Sequence, residues 1–114
     1  MKGLLIKSPW IDRIFEGKKT WEIRGSNTVI RGTIALIRSG SGLILGTVDL
    51  VDCKRLELEQ YRESTEFHGI PKQACETLPY QHTHAWIFAN PTLFERPKPY
   101  KHPNGAIIWV NLED

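Results

Sequence analysis

The stretch KSPWIDRIFEGKKTWEIR, residues 7–24, combines the pattern of a short helix with the pattern of a strand. Ser8 is a suitable N-cap, Pro9 suits the first helical position, and Gly17 suits the left-handed position just after a helix. These signals predict a helix over 9–16. Its apolar side chains form one stripe that can pack on a sheet, and they are Trp10, Ile11, Ile14 and Phe15.

The segment 19–24 that follows is predicted to be a strand, ended by turn-forming residues at 25–27. Side chains alternate along a strand, so Thr20, Glu22 and Arg24 share one face, with Lys18 in phase. The pattern therefore predicts a compact site of mixed charge. An exposed strand surface has the same pattern, and that alternative stays open at this point.

Further strands and a helical insert are predicted along the rest of the chain. Gly46 marks a bulge or a close approach of another segment. The insert covers 57–77, with a second short helix starting at Ile70 or Pro71, and a proline-rich segment over 92–103 is expected at a sheet edge. The predicted strands are Leu4–Ile6, Thr33–Arg38 (buried on both faces), Leu43–Cys53, His84–Ala89 (ending at Asn90-Pro91) and Ala106–Leu112.

The order of these elements decides the fold class. The predicted order is strand, helix, three strands, helical insert and two strands. This order lacks the regular alternation of strands and helices that a doubly wound parallel sheet requires. We expect an α+β, mostly β fold: a small mixed or antiparallel β-barrel with short flanking helices. The 114 residues, 40% hydrophobic and 25% charged, fit a single domain over 1–114.

Composition excludes several classes of protein. The 15 Lys and Arg against 13 Asp and Glu give a net charge of +2, too weak by itself to indicate a nucleic-acid binder. No signal peptide or membrane span is predicted, so a cytoplasmic protein without membrane contact is expected. The two cysteines, Cys53 and Cys75, are expected to be free thiols. His82 and His84 with Cys75 lack further ligands at metal-site spacing, so neither a metal nor a cofactor is expected.

Lys19 and Glu22 are the candidate catalytic residues. A lysine acts as nucleophile or proton carrier when burial or neighbouring cations lower its pKa, and Lys18 or Arg24 provides such a neighbour. Glu22 is then a general base, or simply the partner that holds Arg24. The alternative is an exposed ion pair that contributes little.

Two further groups of residues are candidates for ligand binding. Aromatic and basic residues alternate near Tyr100 and His102, a pattern typical of stacking on a base beside a phosphate; the alternative is a solvated edge, with Trp86 in the core. The loop from Arg38 to Gly42 has small residues whose amides can approach a phosphate, but a plain hairpin turn is the favoured interpretation. The basic and aromatic group comprises Trp86, Arg96, Lys98, Tyr100, Lys101 and His102.

Several motifs resemble the ASCH domain, a member of the PUA-like superfamily. They are Lys7-x-Pro9-Trp10, Gly17-x-Lys19-Thr20-x-Glu22-x-Arg24, Arg31-Gly32 before a strand, and Gly46-x-Val48 within one. A weaker similarity covers the closing segments Ala85-Trp86, Asn90-Pro91, Pro99-Tyr100 and Gly105-Ala106 to Trp109-Val110. The resemblance covers most of the chain except the insert near 57–79.

The resemblance implies a PUA-like β-barrel whose cleft beside the first helix binds RNA or a modified nucleoside. Some similar ASCH proteins are amidohydrolases that remove the acyl group from N4-acetylcytidine, and another branch is ribonuclease-like. In the amidohydrolases the catalytic lysine corresponds to Lys19 and the arginine to Arg24, while Glu22 stands at their threonine position. Their distant glutamate has three candidates here, namely Glu63, Glu66 and Glu76.

A ligand-binding set follows from the resemblance together with the residue patterns. Arg24 and Lys19 are expected to engage phosphate, sugar or carbonyl oxygens, and Trp10 or Tyr100 to stack on the base. A protein-interaction adaptor is the remaining alternative and predicts a broad apolar patch instead of a polar cleft. The expected ligand-binding residues are Lys7, Trp10, Thr20, Arg24, Arg38, Tyr100 and His102.

Overall fold

The computed structural model describes residues 1–113 and is built on one six-stranded sheet. The strands are β1 Lys2–Ile6, β2 Trp21–Arg24, β3 Gly32–Arg38, β4 Leu43–Arg55, β5 His84–Pro99 and β6 Trp109–Asn111. The helices are α1 Trp10–Phe15, α2 Leu58–Glu63 and α3 Thr65–His68, followed by a 3₁₀ turn at Lys72–Ala74. This element order confirms the predicted one.

The sheet has the order β2-β5-β4-β3-β1-β6 and curls into a half barrel. Among the strands described within residues 1–113, only β1 and β3 pair in parallel, and the other neighbours are antiparallel. The predicted class, mostly β with a mixed sheet and short flanking helices, is confirmed. No helix within residues 1–113 is long and apolar enough to cross a bilayer.

The core lies between the curled sheet and α1. The run 34–37 of β3 is at most 2% exposed, which confirms a strand buried on both faces. Ile11 and Ile14 of α1 are also fully buried, so the predicted apolar stripe does pack on the sheet. Trp86 is 1% exposed, and its indole N–H donates to the Ser26 carbonyl at 2.9 Å; it is a core residue.

The segment from α1 to β2 begins and ends differently from the prediction. Ser8 does not cap the helix: α1 begins at Trp10 with Pro9 at the N-cap position, and the Ser8 hydroxyl accepts a hydrogen bond from Arg38. Gly17 has φ +78°, which confirms its role in ending the helix. The strand begins at Trp21 and not at residue 19, because the Thr20 amide donates to the Phe67 carbonyl of α3 at 2.8 Å.

Gly46 marks both a bulge and a close approach, as predicted. The β4–β5 register shifts between Ile44 and Gly46. A Cβ at this glycine would collide with the backbone oxygen of Thr92 and lie 2.8 Å from the Phe15 ring. The loop 39–42 is a plain hairpin turn joining β3 to β4.

The prediction that the fifth strand ends at Ala89 was wrong. Asn90 adopts φ +52°, and the chain then continues as part of β5 to Pro99. Only the first part, through Ile87, pairs with β2, so the proline-rich part pairs with β4 alone. It therefore lies at a sheet edge, as expected, where a missing amide hydrogen costs no ladder bond.

The last strand and the insert were also predicted imperfectly. The final strand covers Trp109–Asn111 rather than 106–112, and Ile107 is 80% exposed because it stands outside the ladder. In the insert a helix already forms at Thr65–His68, and Pro71 precedes only a 3₁₀ turn. Apolar composition alone did not distinguish a core strand from a loop. Both cysteines are free thiols, as predicted.

Candidate functional site

A cleft of about 340 Å³ lies beside α1, where β1, β2 and the segment after α3 meet. Its walls are mostly apolar, and its charged groups come mainly from β2 and the residues just before it. Lining side chains come from Leu5, Lys7, Trp10, Lys19, Glu22, Ile23, Arg24, Ser39, Ile70, Pro79, Tyr80 and Ile107.

Lys19 is buried at the base of this cleft, with 2% of its surface exposed. Its ammonium donates to the carbonyl oxygens of Trp21 at 2.6 Å and His68 at 2.7 Å. The third neighbour is Glu22 Oε1 at 3.5 Å. Because the ammonium is bound on three sides, Lys19 is held in one orientation and ties α3 to β2.

Glu22 is the carboxylate shared by the two cations of the site. Its Oε2 accepts from Arg24 Nε at 3.0 Å and lies 2.9 Å from Nη2. Arg24 Nη2 also donates to the Leu5 carbonyl at 2.7 Å, which joins β2 to β1. Glu22 and Arg24 therefore share one face, as the strand alternation predicted, and form a partly buried charge network with Lys19.

The electrostatics of the cleft make Lys19 unlike a surface lysine. Burial lowers the pKa of Lys19 below its ordinary value, Glu22 opposes this shift, and the nearby Arg24 and Arg13 guanidiniums add to it. A buried ammonium among cations loses its proton more readily than an exposed one. The site thus has a buried lysine with a lowered pKa and a carboxylate 3.5 Å away.

Two aromatic side chains form walls of the cleft. Trp10 belongs to α1, and its ring is 5.1 Å from the Lys19 ammonium and 5.0 Å from the Arg13 guanidinium. Tyr80 comes from the segment before β5 and is 45% exposed. Its ring fits against Gly25, where an added Cβ would lie 2.8 Å from a ring carbon. Both residues line the cleft.

Of the other residues predicted near α1, one lines the cleft and two do not. Lys7 lines the cleft and is exposed. Thr20 does not line it, and its backbone bonds to Phe67 and Phe88 instead. Lys18 points to solvent beside Glu16 at 3.7 Å, so the expected phase with Glu22 was wrong because the strand starts only at Trp21.

Arg38, Tyr100 and His102 lie outside the cleft. Arg38 makes two bonds to the Asp12 carboxylate, at 2.7 and 3.1 Å, which tie α1 to β3. These bonds lower the pKa of Asp12. Tyr100 lines a separate groove, and its hydroxyl lies 2.8 Å from His102 Nδ1. The structure thus does not bring these three together with Lys19.

None of the glutamates proposed from the insert reaches the cleft. Glu63 lines a groove beside α2, and Glu66 and Glu76 are exposed elsewhere. Glu22 is the one carboxylate among the cleft-lining residues of the described chain, 1–113. Within the same range no three metal-ligating side chains cluster.

The segment 68–80 contributes to the cleft, although no sequence pattern indicated it. His68 supplies a carbonyl to Lys19, and Ile70, Pro79 and Tyr80 line the cleft. The insert lies outside the motifs that indicated the site, so no local pattern connected it to Lys19. The local signal in this segment is the pair Pro79-Tyr80, because proline restricts the backbone next to the aromatic residue.

The curled mixed sheet with its short flanking helices has the PUA-like fold. The model of the ASCH domain matches residues 4–98, and the chain belongs to that family.

Solved structures of an ASCH protein from Zymomonas mobilis have the same fold. The unsubstituted protein superposes with a TM-score of 0.73 at 13% identity, covering 98% of this chain and 87% of that one. Two single-residue variants of that protein give TM-scores of 0.73 and 0.74 at the same identity, covering 89% and 87% of their chains. No curated protein matches this sequence. At this identity the likeness concerns the fold alone.

Proposed function

We propose that the cleft binds one nucleoside unit, either a free modified nucleoside or a nucleotide of an RNA strand. The observation that carries this proposal is the convergence of Lys19, Glu22 and Arg24 in a cleft of about 340 Å³ that has two aromatic walls. That volume is within the range of small-ligand sites. A base has the matching chemistry: a flat face for stacking and a polar edge for hydrogen bonds.

Each part of the cleft has a distinct role in this proposal. Trp10 and Tyr80 provide the stacking surface, which is tolerant of base identity. Glu22 accepts a hydrogen bond from an exocyclic amine, and Arg24 donates to a carbonyl oxygen. Lys19 is held by backbone carbonyls, so it keeps Glu22 in place before the ligand arrives, which reduces the entropic cost of binding.

Calorimetric titration tests this proposal with the four nucleosides, N4-acetylcytidine and short single-stranded RNA. We expect Tyr80→Ala to weaken binding by about tenfold or more, since base stacking contributes about 1–3 kcal/mol. Arg24→Lys keeps the charge but loses the planar fork, so it also weakens binding. Lys18→Ala removes an exposed charge outside the cleft and serves as the matched control. Absence of binding to every ligand, or full affinity in Tyr80→Ala, would refute the proposal.

Amide hydrolysis is the second candidate, favoured by the proximity of Lys19 and Glu22 in a partly enclosed cleft. For an N4-acylated cytidine, Glu22 takes a proton from a water molecule while the oxygen of that water adds to the acyl carbon. Arg24 and Lys19 stabilise the resulting oxyanion. The carbon–nitrogen bond then breaks, the amine takes the proton from Glu22, and cytidine and a carboxylic acid are released.

Chromatographic detection of cytidine from N4-acetylcytidine tests the hydrolase candidate. Lys19→Ala and Glu22→Gln are expected to abolish turnover, whereas Lys18→Ala keeps it. Circular dichroism of each variant separates loss of activity from loss of fold. Binding without formation of cytidine would exclude hydrolysis and support the binding function. Release of nucleotides from RNA under the same conditions identifies a ribonuclease-like activity instead.

The adaptor alternative is less well supported by the geometry. It requires a broad exposed apolar patch and no enclosed polar cleft. The cleft combines three cations and a carboxylate with aromatic walls, which suits a small polar ligand better than a protein surface.

A further inference from the structure

The charge inside the cleft is unbalanced. Four of its lining residues have ionisable side chains, three basic and one acidic: Lys7, Lys19, Arg24 and Glu22. Glu22 is already shared between Lys19 and Arg24. An uncharged nucleoside leaves this positive excess without compensation, whereas a ligand with a negative group neutralises it.

Lys7 is the cation that is available to such a group. Within residues 1–113, its ammonium has neither a hydrogen-bond nor an ion-pair partner, and the side chain is exposed at the cleft. Lys19 and Arg24 are instead bound by backbone carbonyls and by Glu22. Lys7 is therefore free to bind a ligand without breaking an existing contact.

Ser39 lies beside Lys7 because of the parallel pairing of β1 and β3. Ile6 pairs with Arg38, and the Ser39 amide donates to the Ile6 carbonyl at 3.0 Å. Lys7 and Ser39 are the next residues after this pair, so the two strands end together at one end of the cleft. Both residues line it, and the Ser39 hydroxyl has no partner within residues 1–113.

The neighbouring charged groups do not compete for this position. Asp12 follows Lys7 by five residues and Arg38 directly precedes Ser39, but these two charged groups bind each other through two bonds at 2.7 and 3.1 Å. The Arg38 bonds lower the pKa of Asp12, which favours the carboxylate form that pairs with Arg38. A lysine and a serine hydroxyl remain at this end of the cleft, a donor set suited to phosphate oxygens.

We propose that Lys7 and Ser39 form a phosphate subsite, so that the ligand of the cleft is a phosphorylated nucleotide rather than a free nucleoside. This inference rests on the proposed function, since it assumes that the base occupies the space between Trp10 and Tyr80. The phosphate is carried either by a mononucleotide or by the backbone of a single RNA strand. The chemistry recognised is the same in both cases.

Calorimetric titration with matched ligand pairs tests the subsite. The probes are the four nucleosides and N4-acetylcytidine, each compared with its 5′- and 3′-monophosphate. We expect one monophosphate series to bind about tenfold more tightly than its nucleosides, an advantage that shrinks as salt rises. Lys7→Met and Ser39→Ala should each reduce that advantage, and the double variant should abolish it. Lys18→Met removes an equivalent lysine charge outside the cleft and should leave the advantage intact.

The outcomes separate this inference from the proposed function. Equal affinity for nucleosides and monophosphates would refute the phosphate subsite without affecting the proposed base-binding cleft. Tighter binding of monophosphates that persists in the Lys7→Met/Ser39→Ala variant would have the same meaning. No binding of any probe, including short RNA, refutes both. A short RNA strand that binds more tightly than every monophosphate, with the same dependence on Lys7, identifies the polymer as the source of the phosphate.

Discussion

Replacing Glu22 by glutamine is the sharpest perturbation of the charge network. Glutamine keeps the shape of the side chain but removes the charge that Lys19 and Arg24 share. Lys19 is 2% exposed and cannot turn to water, and its pKa is already lowered by burial. Removing one partner of a buried ion pair typically costs about 3–5 kcal/mol. Because Arg24 is 18% exposed and the amide oxygen still accepts one hydrogen bond, we expect a loss near the lower end, about 3 kcal/mol.

Urea unfolding at neutral pH, followed by circular dichroism, measures this loss in the free energy of unfolding. The matched control is Glu16→Gln, which removes the same charge from an exposed pair with Lys18 at 3.7 Å. The control should change the free energy of unfolding by no more than about 0.5 kcal/mol. A loss below about 1 kcal/mol for Glu22→Gln would show that the network does not behave as a buried ion pair.

A double-mutant cycle tests the pairing itself. Once Lys19 is replaced by methionine, no buried ammonium is left without its partner, so Glu22→Gln should cost less. We expect a coupling free energy of about 1–2 kcal/mol between the two substitutions. Additivity within about 0.3 kcal/mol would refute direct interaction between Lys19 and Glu22.

Three further predictions concern packing and pH. Gly46→Ala should lower the free energy of unfolding by about 1–3 kcal/mol in urea titration, because the new Cβ collides with backbone and cannot be accommodated by a side-chain shift. Gly25→Ala should displace the Tyr80 ring and weaken ligand binding in calorimetry by about tenfold, with urea stability nearly unchanged. His68 is buried with both ring nitrogens hydrogen-bonded, and burial lowers its pKa, so the folded state favours the neutral ring. The stabilising contribution of neutral His68 is therefore present above the unfolded-state pKa of about 6.5 and is lost as pH falls below it. Urea titrations across this pH range measure the change. His82→Ala, an exposed control, should leave the pH dependence of the free energy of unfolding unchanged.

Each of these three predictions has a clear contrary result. An alanine at Gly46 that leaves stability unchanged would mean that β5 shifts freely. Ligand affinity unaffected by Gly25→Ala would mean that the Tyr80 ring is not part of the binding surface. A His68→Asn variant that keeps the wild-type pH dependence would assign that dependence to other groups.

The local features of this protein were predictable from sequence. Gly17 ends α1 because a left-handed residue is required there, and Gly46 allows β5 to approach. The alternation of β2 places Glu22 and Arg24 on one face, and four consecutive apolar residues predict the buried β3. In each case the information lies within one element or turn, at the period of a strand or the conformation of a single residue.

The composition of the cleft was decided only by the tertiary structure. Lys19, and not Lys18, enters the site because the carbonyls of Trp21 and His68 capture its ammonium. Tyr80 becomes a wall because Gly25 leaves room for its ring. These contacts join segments far apart in sequence, and no local periodicity encodes them.

The same division explains why the predicted site residues do not all lie in one cleft. Tyr100 and His102 have the composition of a base-binding segment, yet they satisfy each other beside a different groove. Sequence by itself determined the motif from Lys19 to Arg24 and the helix that precedes it. Tertiary structure decided which charges are buried together, because burial depends on the distant segments that pack over them.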